Sequence, residues 1–133
     1  MTVRSSRTYK LKLSRAGIGL YLECHCRLCH LVEDLLPYGM TLNVAMRLLE
    51  IGPIDEMIGD MISPELLSLG GPEVKYVGTS PDLAETTKRI ADRIVETDCF
   101  YPAPQIWKLY LAGLMGFRSS EDGRIVKTYQ DIC

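Results

Sequence analysis

Hydrophobic and polar positions change period once within the first 36 residues of the chain. In "TYKLKLS", Tyr9, Leu11 and Leu13 alternate with Lys10 and Lys12, the period-two signature of a half-buried strand. In "IGLYLECHC", Ile18, Leu20, Leu22, Cys24 and Cys26 alternate with Gly19, Tyr21, Glu23 and His25, which predicts a second strand. The short "SRAG" between them, with Gly17 free to adopt positive φ, predicts an N-terminal β-hairpin with Lys10 and Lys12 on its outer face. From Arg27 the spacing becomes helical, with Leu28, Leu31, Val32 and Leu35 recurring up to Pro37.

Beyond Pro37 helical signals dominate. Thr41 is placed to cap an apolar helix that runs through Leu49 and is closed by Gly52 and Pro53. Ile54, Met57, Ile58, Met61 and Ile62 fall on one helical face, and the methionines there read as core filling. Ser63 and Pro64 open a further short helix that ends at the paired glycines 70 and 71. "EVKYV" predicts a strand. Ser80, Pro81 and Asp82 then start the clearest helix, with Leu83, Thr87, Ile90 and Ile94 inward and Lys88, Arg89, Asp92, Arg93 and Glu96 outward. A last helix is expected from Pro104 to about Gly116, burying Trp107, Tyr110, Leu111 and Leu114. "SSEDGR" reads as a turn and "RIVKTYQDI" as a final strand.

Several helices interspersed with about four short strands predict an α+β fold, with mixed α/β the alternative, in one domain spanning residues 1–133. That length buries roughly two thirds of the unfolded surface, so the fold needs no covalent staple. Apolar residues at 47% and charged residues at 24% exclude wholesale disorder. No run of 18 apolar residues occurs and the opening "MTVRSSRTYKLKLSRAG" has no signal-like apolar stretch, so a cytoplasmic protein without a membrane partner is expected. One Asn and two Gln suggest a thermophilic source, though six Met and five Cys point the other way.

The net charge of −2 implies no global polyanion partner, but Arg4, Arg7, Lys10, Lys12 and Arg15 all precede the first acid, Glu23. They form the candidate surface for nucleic acid, with a protein the other possible partner.

The distinctive chemistry is "CHCRLCH", which gathers three of the five cysteines and both histidines between residues 24 and 30. In a reducing compartment such a group points to metal binding or catalysis rather than to disulfides. A strand would turn Cys24 and Cys26 to one face and His25 to the other, and Cys26 and Cys29 would share the first turn of the helix that follows. The zinc-knuckle spacing Cys26-x-x-Cys29, with Cys24 as third thiolate, makes Cys24, Cys26, Cys29 and His30 the expected zinc ligands. Cys99 or Cys133 is the alternative fourth ligand; in a thermophile these two can instead bond to each other. Plain burial of the thiols is the competing structural reading. "CRLCH" also has the CxxCH spacing of haem attachment, which the expected location sets aside.

A strand entering CxxC ahead of an amphipathic helix also resembles thioredoxin-like and glutaredoxin-like oxidoreductases, and "GGPEVKYVG" resembles that family's loop before a strand. The resemblance implies Cys26 as nucleophile, Cys29 as resolving thiol and Pro72 as the family's cis-proline. It implies no role for Cys24, and the family has no preceding basic hairpin. No GxSxG, HExxH, P-loop or GxGxxG is present. The sequence therefore predicts a zinc-stabilised binding domain rather than an enzyme, with a thiol-disulfide oxidoreductase using Cys26 and Cys29 as the alternative.

Overall fold

Two helices that are apolar almost all round form the centre of the molecule. The computed structural model describes residues 6–97 and 103–133. Within it run β1 (Arg7–Leu13), α1 (Arg15–Val32), α2 (Tyr38–Ile51), α3 (Ile54–Met61), α4 (Pro64–Leu69), β2 (Glu73–Thr79), α5 (Asp82–Val95), α6 (Ile106–Ser119) and α7 (Asp122–Ile132). Residues 41–46 of α2 and 109–115 of α6 are each buried without interruption, so over these stretches no side of either helix is left for water. They make the most extensive helix contact in the chain. Gly113 lets the two backbones close up, since a Cβ there would come within 2.9 Å of Met46 Sδ.

The fold is α+β, with helices packed around one antiparallel two-stranded sheet. β1 follows the expected alternation: Tyr9, Leu11 and Leu13 enter the core, and Lys10 and Lys12 face solvent. Its partner is not the adjacent segment but β2, in a register that sets Lys10 opposite Tyr76 and Lys12 opposite Val74. The Tyr9 hydroxyl donates to the Ser80 carbonyl at 2.7 Å and ties the ladder to the start of α5.

The strand expected over Ile18–Cys26 is instead the body of α1. Its apparent alternation treated Tyr21 as outward, yet Tyr21 is buried, while Leu22 is 49% exposed and Cys26 is exposed. The positions that enter the core are Gly17, Leu20, Tyr21, Cys24 and Leu28, spaced at three, four and seven as one helical face requires. "SRAG" is accordingly no hairpin turn. Ser14 caps α1 by accepting from the Gly17 N–H at 3.2 Å and donates its own hydroxyl to the Ser68 carbonyl at 2.6 Å. Gly17 has ordinary negative φ, and it is small because a Cβ would lie 2.1 Å from the Leu69 carbonyl oxygen. α1 ends at Glu33, a left-handed residue at φ 55°, whose N–H bonds back to the Cys29 carbonyl. Leu35, expected on the buried stripe, lies past that end and is 95% exposed.

Two further boundaries differ. Thr41 is buried inside α2, whose first residue is Tyr38. The final segment is helix α7 rather than a strand: Ile125, Thr128, Tyr129 and Ile132 are spaced i, i+3, i+4, i+7 and pack inward, which outweighs the strand preference of Ile, Val and Tyr. Among the described residues there are thus two strands, not about four. Arg27 fastens α1 to the α6–α7 junction. Its guanidinium meets the Asp122 carboxylate at 2.6 and 2.9 Å and donates to the carbonyls of Phe117 and Ser120, so it satisfies orphan acceptors at the end of α6.

Candidate functional site

Because α1 runs through the whole "CHCRLCH" motif, the motif is dispersed by helical geometry rather than by strand alternation. At about 100° per residue, Cys24 and Cys26 point some 160° apart, whereas His25 and Cys29, and likewise Cys26 and His30, each differ by only about 40°. One face of the helix therefore carries His25, Cys26, Cys29 and His30, and Cys24 alone faces the other way.

Cys24 is 2% exposed, and its thiol donates to the Leu114 carbonyl at 3.7 Å. Burial pushes this thiol up to about 12, an effect that the nearby Arg27 charge only partly opposes. It behaves as a core residue of the α1–α6 contact.

His25, which the strand geometry turned away from the cluster, is the residue that joins it. Its Nε2 lies 3.6 Å from Cys29 Sγ, and its Nδ1 lies 2.7 Å from the buried Thr41 hydroxyl. The ring stacks on Tyr38 with centroids 4.4 Å apart at 28°. Two helices thus fix one imidazole, α1 by carrying it and α2 by holding its far nitrogen and its face. Burial lowers the His25 pKa from its ordinary value and so favours the neutral ring.

These groups line a shallow groove of about 760 Å³ along the second half of α1 and the turn into α2. Cys26 and His30 flank the His25–Cys29 pair, Glu33 and Asp34 bring carboxylates to one end, and Leu22, Leu35 and Tyr38 supply apolar walls. Among the described residues, no three His, Cys, Asp or Glu side chains are already gathered as a metal-holding group. Of the expected ligands, the structure brings Cys26, Cys29 and His30 to one groove and leaves Cys24 behind; the signal for His25 was its i, i+4 spacing from Cys29, visible only once the segment is read as helix. Cys133 is exposed at the end of α7, and Cys99, its suggested partner, lies outside the described residues.

The oxidoreductase resemblance places CxxC at the first turn of a helix. Here Cys26 and Cys29 lie in the second half of α1, about 11 residues beyond its start, where the partial positive charge of a helix N-terminus no longer reaches. No family model, no curated protein and no solved structure matches this chain.

Of the basic residues expected to contact nucleic acid, Arg4 lies outside the described residues. Lys10 and Lys12 stand on the outer face of the sheet, where cross-strand pairing brings in Tyr76, 63% exposed, and Val74. Arg7 holds its guanidinium 5.7 Å from the ring centre of Tyr9, and Arg15 opens α1.

Proposed function

We propose that this chain is a small zinc-binding domain that works by binding, with His25 and Cys29 as the central ligand pair and Cys26 and His30 completing the site. One observation carries the reading. Zinc–sulfur and zinc–nitrogen bonds of about 2.3 and 2.0–2.1 Å at a tetrahedral angle put the two ligand atoms about 3.5–3.6 Å apart, and Cys29 Sγ lies 3.6 Å from His25 Nε2. The surroundings fit the same chemistry. If Nδ1 carries its proton toward Thr41, Nε2 keeps its lone pair for a metal, which is the usual outer-shell arrangement of a zinc histidine. A lowered histidine pKa supplies that neutral ligand and disfavours the imidazolium that a thiolate–imidazolium nucleophile needs. Cys26 and His30 are exposed one helical step away, where rotation about their side-chain bonds would bring them onto an ion. Thiolate ligands require a reducing compartment, which is consistent with a cytoplasmic protein. No described helix is long and apolar enough to cross a membrane.

The partner that the surface favours is nucleic acid. Lys10, directly across the ladder from Tyr76, and Lys12, two residues further along the same strand, supply phosphate contacts beside the exposed Tyr76 ring, which offers a stacking platform for a base.

Cobalt titration of the reduced, metal-free protein tests the zinc site. Tetrahedral thiolate coordination is expected to give one equivalent of cobalt with intense d–d and sulfur charge-transfer absorption, displaced by zinc. Cys29→Ser and His25→Ala should each abolish the spectrum and Cys24→Ser should keep it. A spectrum lost in Cys24→Ser but kept in His25→Ala, or no spectrum at all, refutes the assignment. A Cys26–Cys29 disulfide in protein isolated under thiol-blocking conditions would transfer the groove to the oxidoreductase reading.

A further inference from the structure

A second cavity, sharing no lining residue with the α1 groove, lies where α2 meets the end of β2, the start of α5 and the end of α7. Its volume of about 680 Å³ is within the roughly 300–1,000 Å³ typical of small-molecule sites. Two polar side chains on its α2 wall have no side-chain hydrogen bond or ion pair among the described residues. Asn43 is 4% exposed, yet its carboxamide makes no hydrogen bond among the described residues. Arg47, one helical turn further along, has its Nε buried without an acceptor, and its guanidinium forms no ion pair, among the described residues.

Arg47 differs from the arginines that tie elements together. Arg27, Arg89, Arg93 and Arg118 each find a carboxylate or a main-chain carbonyl. Buried donors are nearly always satisfied, so the buried Arg47 Nε, beside an amide that makes no internal hydrogen bond, calls for an acceptor from outside. The opposite wall carries the Ser80 hydroxyl, which donates or accepts, and the exposed Asp82 carboxylate, which accepts from a donor and repels a bare anion. Met40, Pro37 and Ile132 provide apolar surface between the two walls.

We infer that this cavity binds a small hydroxylated organic anion, its anionic group seated on Arg47 and Asn43 and its hydroxyl on Asp82 and Ser80. A planar guanidinium fork suits carboxylate and phosphate alike, so the two sources are separated by experiment. The site is independent of the zinc reading and is expected to bind whether or not the groove holds metal.

The test is titration of the full chain, followed by amide resonances of Gly78, Thr79, Ser80 and Asp82, with glycerate, glycerol 3-phosphate, inorganic phosphate and glycerol. Saturable one-to-one binding of glycerate or glycerol 3-phosphate is expected, stronger than that of inorganic phosphate and absent for glycerol; whichever binds tighter identifies the anionic group. Arg47→Met should weaken binding by about tenfold to a hundredfold, the range of a charged hydrogen bond. Its own melting temperature should stay unchanged or rise, because Arg47 has no internal partner to lose. Arg47→Lys, which keeps the charge without the fork, should bind with intermediate affinity and covers the case in which the Met variant does not fold. Absence of saturation by about 10 mM for every anion, corresponding to less than about 3 kcal/mol of binding, overturns the proposal. So does unchanged affinity in both Arg47 variants.

Discussion

The opposed orientations of Cys24 and Cys26 on α1 make a sharp prediction about thiol chemistry. Alkylation requires thiolate, and the buried Cys24 thiol is pushed up to about 12 from an ordinary 9.0. At pH 8 its thiolate fraction is therefore about a thousandfold below that of an ordinary thiol. Access adds a further barrier, since Cys24 is 2% exposed and its sulfur points at Leu114, so reagent reaches it only when the α1–α6 contact opens. Treating native, reduced, metal-free protein with iodoacetamide at pH 8 and locating the adducts by peptide mass spectrometry should show the exposed Cys26 modified first. Cys29, half-buried against His25, should follow, and Cys24 should react at least about a thousandfold more slowly than Cys26. In about 6 M guanidinium chloride the three rates should converge. Zinc added to native protein should protect Cys26 and Cys29 and leave Cys24 as it was. Comparable native rates for Cys24 and Cys26 would refute the helical assignment of this segment and return Cys24 to the face that the strand pattern gave it.

Leu28→Ala should destabilise by about 2–5 kcal/mol because Leu28 is fully buried, while Leu35→Ala should change stability by less than about 0.5 kcal/mol; chemical denaturation decides, and equal effects would contradict the end of α1 at Glu33. Gly39→Ala places a Cβ 1.9 Å from the Gly78 carbonyl oxygen and should cost about 1–3 kcal/mol or more, whereas Gly19→Ala meets nothing within 4 Å and should stabilise by about 0.5–1 kcal/mol. Burial lowers the His25 pKa, so the folded chain takes up this proton less readily than the unfolded one: the associated stability is present above the ordinary 6.5 and is lost as the pH falls below it. Melting curves of metal-free protein between about pH 8 and 5 should show that loss, and His25→Gln should flatten it. Fluorescence anisotropy with a single-stranded oligonucleotide should show affinity falling steeply between about 50 and 200 mM salt, with Lys10→Gln and Lys12→Gln each reducing the slope and Tyr76→Ala weakening binding at every salt concentration; salt-independent binding, or none, would favour a protein partner.

Local pattern alone determined a good part of this molecule. The α+β class, β1, β2 and the helices over Ile54–Met61, Pro64–Leu69, Asp82–Val95 and Ile106–Ser119 follow from periodicity together with caps such as Ser63 and stops such as Gly70. What could not be read locally was which of two coexisting periods would win. Residues 17–28 support both an alternating and a helical reading, and the choice falls to the surface that each buries. As a helix the segment sets Leu20, Tyr21, Cys24 and Leu28 into the core and brings Gly17 against the Leu69 carbonyl. β1 meanwhile finds its partner in β2, the pairing of a strand with a distant segment that no spacing within either records. The site inherited that decision. The seven-residue motif announced an unusual concentration of sulfur and imidazole, but the choice between Cys24 and His25 as the neighbour of Cys29 depends on a rotation of the chain set by burial. The Thr41 hydroxyl that fixes His25, like the unpaired Asn43 and Arg47, comes from a second helix that only packing brings near.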